Sequence, residues 1–354
     1  MKLPTLFKFT SKGQIQQWTI IAEGNGFYTI EGIQGGKLTT SSPTICLGKN
    51  FGKSNETSPE EQAILEAKAR WQKKVDTGYN EILTDEKKYF EPMLAHEYSK
   101  SNLAFTVPTF IQPKLDGIRC YLDNRKLTSR SGKSILSCPH LELNYHGLDG
   151  ELYNHELKAD FNKISSLTRK TKPTTEDLIE SEKLVEYWIY DYPYHADKVF
   201  SERYSRLKED FKNFPKYFKL VPTYQIHNED ELKEYHAQFI GEGYEGSIIR
   251  LDLGKYENRR SKQLLKYKDF QDDEFEILDI TPGLGNRSEC AGRLICKIGK
   301  NTFGCSMTGT VEFMKRVLQD KDQIIGKQAT VKFFMLTPDG IPRFPTLKHI
   351  HDYE

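Results

Sequence analysis

The stretch Ile111-Gln112-Pro113-Lys114-Leu115-Asp116-Gly117-Ile118-Arg119 decides how the rest of the chain is read, because it sets one lysine in a short polar turn between two strand-like runs. An amine attacks phosphorus only when neutral, and a free lysine, titrating near about 10.4, is almost wholly protonated at pH 7. Holding a lysine neutral there costs roughly 4 to 5 kcal/mol, at about 1.36 kcal/mol per pH unit. Burial and neighbouring cations must supply that cost if Lys114 is a nucleophile. Arg119 adds positive charge close by, and Gly117 lets the backbone approach a ligand closely. Lys-x-Asp-Gly is also an ordinary surface turn, since Asp-Gly is a common hairpin signal. Partners elsewhere in the chain must therefore decide.

At 354 residues the chain exceeds the size at which one core keeps growing, and two or three domains are expected. Lys and Arg number 51 against 50 Asp and Glu, a net charge of +1, so a basic groove for nucleic acid has to be local. The six cysteines, Cys46, Cys120, Cys138, Cys290, Cys296 and Cys305, include no Cys-x-x-Cys pair and sit among apolar neighbours. They read as reduced core residues of a cytoplasmic protein, without a zinc site. His140, His146 and His155 lack metal-ligand spacing and receive no role. No run of 18 apolar residues exists and the N-terminus lacks the apolar core of a signal peptide, so neither membrane insertion nor secretion is expected.

Up to about residue 56, apolar and polar residues alternate between glycine turns at Glu23-Gly24-Asn25-Gly26 and Gln34-Gly35-Gly36. That pattern predicts a small antiparallel sheet with strands at 17–21, 27–31 and 44–47. Ser58-Pro59-Glu60-Glu61 then supplies an N-cap, a proline at the first helical position and acid in the first turn. A helix over residues 59–75 follows, with Ile64, Ala67 and Trp71 on its buried face. The sheet, Gly48-Lys49-Asn50-Phe51-Gly52-Lys53, the helix and the closing Lys74-Val75-Asp76-Thr77-Gly78-Tyr79 together resemble the WGR-like modules found with DNA-repair enzymes and some phage ligases. The resemblance implies a DNA-binding module over 1–82, with Lys49, Lys53 and Lys73 against phosphate.

A polar stretch from 79 to 88 leads to Pro92-Met93-Leu94-Ala95, which opens a second domain over 88–270 of mixed strands and helices. Helices are predicted near 178–182, 201–211 and 229–238, and an apolar strand over 184–190. From 271 to 354 strands return at 275–280, 293–298, 302–306 and 328–334, with a helix at 311–318. The fold class is therefore α+β, ending in a small barrel of the OB type.

Downstream of Lys114 come the parts that a phosphoryl-transfer pocket needs. Ser129-Arg130-Ser131-Gly132-Lys133 is a basic turn, Asp149-Gly150-Glu151-Leu152 places a carboxylate before an apolar stretch, and Tyr190-Asp191 ends the aromatic strand. Glu242-Gly243-Tyr244-Glu245-Gly246 sets a second carboxylate before a strand, and Leu264-Leu265-Lys266-Tyr267-Lys268 alternates, pointing both lysines to one face. In order and spacing these residues resemble the covalent nucleotidyltransferase superfamily of ATP-dependent DNA ligases, RNA ligases and capping enzymes. The likeness runs through Lys114, Asp116, Gly117, Arg119, Arg130, Gly132, Glu151, Tyr190, Asp191, Glu245, Gly246, Leu265, Lys266 and Lys268, over roughly 92–270. Near the end, Arg343-Phe344-Pro345 resembles the Arg-Phe-Pro tail of DNA ligases, with His349 and His351 where arginines are often found.

The resemblance implies an adenylation (nucleotidyltransferase) domain followed by an OB-fold domain, and a viral or phage type of ATP-dependent DNA ligase. Lys114 would take AMP from ATP and pass it to a 5′-phosphate at a nick in duplex DNA. Lys266 and Lys268 would neutralise the α-phosphate, Arg119 the phosphates or the DNA end, and Arg130 would hold the ribose or the 5′-phosphate. Glu245 would bind Mg²⁺, and Glu151 a metal or ribose hydroxyls. Tyr190 would stack on adenine, and Gln112 would read its exocyclic amine. Asp116 is structural, closing the turn. On the barrel, Arg287, Arg293 and Lys297 would meet backbone phosphates. A monomer is expected. An RNA ligase shares the same first motifs, a capping guanylyltransferase is set aside on the same tail motif, and a nucleic-acid-binding protein on a silent scaffold is the rival from another class. An NAD-dependent enzyme is disfavoured for want of a cysteine zinc module.

Overall fold

Short alternating segments punctuated by glycine build the N-terminal part, and the structure, a computed structural model, describes residues 1–10, 12–83, 90–98, 103–158 and 160–353 of the chain. The segment 84–88 of the expected polar stretch lies outside the described residues. Two compact units are present, Met1–Lys88 with Phe270–Glu354, and Tyr89–Asp269.

The N-terminal sheet holds β1 (Leu6–Phe9), β2 (Ile15–Glu23), β3 (Gly26–Ile33), β4 (Leu38–Thr40) and β5 (Thr44–Ile45), ordered β1-β2-β3-β4 with β5 also on β3. Helix α1 (Pro59–Asp76) starts as its sequence dictates: the Glu61 backbone N–H donates to Ser58 Oγ at 3.1 Å, and the Ser58 N–H donates back to the Glu61 carboxylate at 2.8 Å. Trp18, Ile20 and Phe27 pack on Ala63 and Ala67. Ile64 and Trp71 are half-buried at the margin, Trp71 donating its indole N–H to the Pro4 carbonyl at 2.8 Å.

The second unit consists of β6 (Leu94–Glu97), β7 (Thr109–Lys114), β8 (Ile118–Asp123), β9 (Lys126–Ser129), β10 (Leu148–Tyr153), α2 (Phe161–Thr168), α3 (Thr175–Leu184), β11 (Glu186–Asp191), α4 (Phe200–Phe211), β12 (Phe218–Leu220), β13 (Tyr224–Ile226), α5 (Glu229–Glu242), β14 (Gly246–Leu251) and β15 (Arg260–Tyr267). These strands form two five-stranded sheets, ordered β13-β7-β14-β15-β6 and β12-β11-β10-β8-β9. In the first, β7 runs antiparallel to β14 with Lys114 opposite Gly246 and Gln112 opposite Ile248. One face of this sheet, through Ile111, Ile249 and Leu265, buries Leu232 and Phe239 of α5. The other face is left for the site. Helix α2 is absent from the sequence expectations; eight residues are too short for a clear helical period, and its start is fixed by the Asp160 side chain accepting from Lys163 N.

In the remaining segment β16 (Gln271–Pro282), β17 (Ala291–Ile298), β18 (Asn301–Ser306), α6 (Val311–Gln319), α7 (Lys321–Ile324), β19 (Gln328–Phe333) and β20 (Thr346–Ile350) make a closed barrel, ordered β16-β17-β18-β20-β19. The closing strand β20 lies directly after Arg343-Phe344-Pro345, in a stretch the sequence marks as a motif rather than a strand. Ile277, Leu294, Cys296, Cys305 and Val331 fill the interior, and all six cysteines are buried free thiols. Among the described residues, no helix is long and apolar enough to cross a membrane.

Candidate active site

Period-two alternation in β7, β14 and β15 places Gln112, Lys114, Ile248, Arg250, Leu264, Lys266 and Lys268 along one cavity of about 320 Å³. Arg119, Arg130, Glu151 and Tyr190 line the same cavity. A volume of this size suits a small-molecule ligand. Lys114 and Lys266 both line this cavity, and the Glu245 carboxylate is bonded to the Lys114 ammonium.

Glu245 is 7% exposed and immediately precedes β14, where its backbone N–H donates to the Lys114 carbonyl at 2.9 Å. Its two carboxylate oxygens engage two ammonium groups, Oε2 that of Lys114 and Oε1 that of Lys268. Gly246 makes this possible. Its φ of 148° is left-handed territory, and a Cβ there would stand 2.3 Å from the Tyr267 carbonyl oxygen, so only glycine lets β14 pass this close to the backbone that carries Lys268. Burial opposes the charge on Glu245, but Lys114 and Lys268 outweigh it and hold the carboxyl below its ordinary range. For Lys268, burial and the Lys114 charge hold the amine below the usual lysine value despite Glu245.

Glu151 differs. Burial lifts its carboxyl to about 7, against the pull of Lys114 and Arg119. The Tyr190 hydroxyl donates to it at 3.4 Å. The guanidinium groups of Arg119 and Arg250 each lie 5.5 Å from the centroid of the Tyr190 ring. Lys266 faces the cavity with Glu97 3.4 Å away, and Arg130 is exposed at the cavity rim.

The expectation for Gly117 needs correction, and Gln112 and Arg119 carry internal partners beside the roles expected of them. Gln112 lines the cavity, but its amide N–H groups donate to Thr223 Oγ1 at 2.8 Å and the Tyr190 carbonyl at 3.2 Å, and its oxygen accepts from Arg250 Nε at 2.7 Å. Only one oxygen lone pair is left for a ligand, so its first job is to tie β7 to β11. Arg119 also lines the cavity, yet its Nε donates to Asp149 Oδ1 at 2.9 Å and its Nη1 to the Met93 carbonyl at 2.7 Å. Much of its donor capacity is therefore internal. Gly117 admits a neighbouring strand rather than a ligand: a Cβ there would meet the Leu152 carbonyl oxygen at 2.4 Å and Glu151 Cγ at 2.7 Å.

Sequence reasoning missed the buried frame behind the cavity. Asp191 accepts from Arg203 Nε at 2.7 Å and from Arg250 Nη1 at 2.6 Å. Burial opposes its charge, and the two arginines overcome that and hold it low. Asp149 pairs with Arg119 and accepts the Tyr256 hydroxyl at 2.7 Å. Alternation along β14 could have found Arg250, two positions beyond Ile248. Nothing local marks Arg203 on α4 or Tyr256 in a loop, since their partners are distant in sequence.

The class defined by this fold is a nucleotidyltransferase-type domain with a lysine in a cavity, followed along the chain by an OB-fold barrel. The pattern of the family described as "ATP dependent DNA ligase domain" matches residues 92–268, half of the chain. A DNA ligase of Haemophilus influenzae is 26% identical over 257 residues, which cover 72% of this chain and 90% of that protein. One of African swine fever virus is 25% identical, covering 88% of this chain and 80% of that protein. In fold, a solved structure from a study of Lig E DNA ligases superposes with a TM-score of 0.64 at 23% identity, over 74% of this chain and 99% of that one. The chain belongs to the ATP-dependent DNA ligase family, and ATP-dependent DNA ligation is its activity.

Proposed function

We propose that the chain seals breaks with a 5′-phosphate and a 3′-hydroxyl in duplex DNA, carrying AMP on Lys114. The observation that carries this reading is the meeting of Lys114, Lys266 and Lys268 at one cavity, with Glu245 bonded to two of them. Lys114, once free of its proton, attacks the α-phosphorus of ATP; the N–P bond forms as the bond to pyrophosphate breaks, and pyrophosphate leaves. Lys266 and Lys268 neutralise the phosphoryl oxygens as charge spreads over them. Tyr190, which lines the cavity, offers a ring to the base, and Arg130 meets the ribose or the 5′-phosphate at the rim. The 5′-phosphate of the nick then takes AMP from Lys114, and the 3′-hydroxyl displaces AMP to close the strand.

The residues present fit Mg²⁺, which is usually held by one or two carboxylates plus waters and substrate phosphates rather than by an all-protein cage. Glu245 and Glu151, close enough that the charge of Glu245 helps to raise the Glu151 carboxyl, are the carboxylates that would hold it. Bound there, the ion would offset phosphate charge. The chain is read as three domains, 1–82, 88–270 and 271–354, acting as a monomer in the cytoplasm. Lys49, Lys53, Arg287 and Arg293, all exposed, are proposed phosphate contacts. Sealing assays with ATP or GTP on nicked duplex DNA and nicked duplex RNA test the reading. ATP-dependent closure of the DNA nick, faster than of the RNA nick, is expected; preference for GTP or for RNA would overturn it.

A further inference from the structure

β12 is the outer strand of its sheet, pairing parallel with β11 through Phe218, Lys219 and Leu220. Along it lies a second cavity of about 610 Å³, larger than the nucleotide cavity and separate from it in lining. Its walls are apolar, with Trp188, Phe214 and Leu220 among them, and three lysines, Lys212, Lys216 and Lys219, stand in its lining. Of these, Lys219 has Glu186 at 3.5 Å, while Lys212 and Lys216 are exposed. None of these side chains serves the ligation chemistry.

The geometry points to a docking groove for a short extended peptide from a partner protein, one that carries acidic residues beside a bulky apolar anchor. The Phe218 N–H on this three-residue edge is already taken by the Pro215 carbonyl at 2.9 Å, so the grip comes mainly from alternate side chains of the extended peptide entering the groove and less from an added strand. Apolar walls select the anchor, and the lysines select acid next to it by charge complementarity. The rings do not form a platform for stacked bases. Phe214 meets Phe218 at 73° and Phe211 at 58°, and Trp188 meets Tyr153 at 83°, so the rings stand across one another rather than in the parallel row that stacked bases need. Single-stranded nucleic acid, which needs open faces in series, fits less well.

The test uses the full chain. A displayed library of random peptides is selected on it and, in parallel, on Lys212→Glu/Lys216→Glu, a surface pair whose change leaves nick sealing intact. The expected winners on the native chain carry two or more acids around an aromatic residue or leucine. They bind the variant at least about tenfold more weakly by fluorescence anisotropy, as for lost charge pairs at an interface. The variant in turn enriches basic peptides. No enrichment, winners indifferent to the charge reversal, or displacement of the winners by oligothymidylate with the same lysine dependence would each overturn the proposal, the last in favour of nucleic acid.

Discussion

Two sets of ion pairs in this molecule use the same residue types in opposite surroundings. At and behind the Lys114 cavity, Glu245 with Lys114 and Lys268, Asp149 with Arg119, and Asp191 with Arg203 and Arg250 are largely out of water. On the first unit, Lys49 with Glu66 at 2.9 Å, Lys297 with Glu276 at 3.1 Å and Lys315 with Glu289 at 2.9 Å lie in solvent. Exposed pairs contribute about 0 to 1 kcal/mol each, whereas breaking a buried one costs about 3 to 5 kcal/mol because a charge is left without its partner. The buried set therefore fixes geometry. The exposed set is free to exchange partners.

The sharpest way to break this comparison is at the cavity. Lys114→Ala removes the nucleophile, and self-adenylation measured with labelled ATP should fall at least on the order of 10⁴-fold, while the thermal midpoint should also fall because the buried Glu245 loses one of its two ammonium partners. Next in size is Asp191→Asn, which strands two buried guanidinium groups. Denaturant unfolding should show a loss of about 3 to 5 kcal/mol, and a change under about 1 kcal/mol would mean that the frame is not electrostatic.

Glu151 sharpens the comparison through pH. Its carboxyl, raised to about 7 by burial, binds a proton more tightly in the folded chain than in the unfolded one. The folded state thus gains from this group in acid, and the gain is lost as pH rises from the ordinary carboxylate range through about 7. Glu151→Gln should flatten that slope, so that the variant gains on the parent by on the order of 2 kcal/mol between pH 5 and pH 8. Unfolding curves at the two pH values check it, and parallel curves would contradict it. The smallest effect is expected on the first unit. Lys49→Ala with Lys53→Ala should leave stability within about 0.5 kcal/mol. The same change should weaken nick binding and lower the slope of log affinity against log salt by about 1 per lost phosphate contact, and an unchanged slope would remove both lysines from the DNA interface.

The same contrast explains what the sequence could and could not say. The cavity face was legible because strand alternation is local: Gln112 and Lys114, then Lys266 and Lys268, declare their face two residues at a time. Helix α1 was legible because Ser58, Pro59 and Glu61 fix its start within four residues. The buried frame was not. Asp191 and its partners Arg203 and Arg250 are 12 and 59 residues apart, and no period links them. Gly117 misled for a related reason: a glycine beside a nucleophile reads as room for a ligand, while the space is taken by β10, more than thirty residues on. Strand β20 escaped because its five residues follow a motif that draws the eye to chemistry.

The central claim is that one amine, that of Lys114, carries the adenylyl group. The direct measurement is to incubate the full chain with ATP and Mg²⁺, digest it under mildly alkaline conditions that spare a phosphoramidate, and locate the adduct by mass spectrometry. The account predicts a single AMP on the peptide containing Lys114, lost when pyrophosphate is added back. An AMP on any other residue, or none while nicks are still sealed, would contradict it.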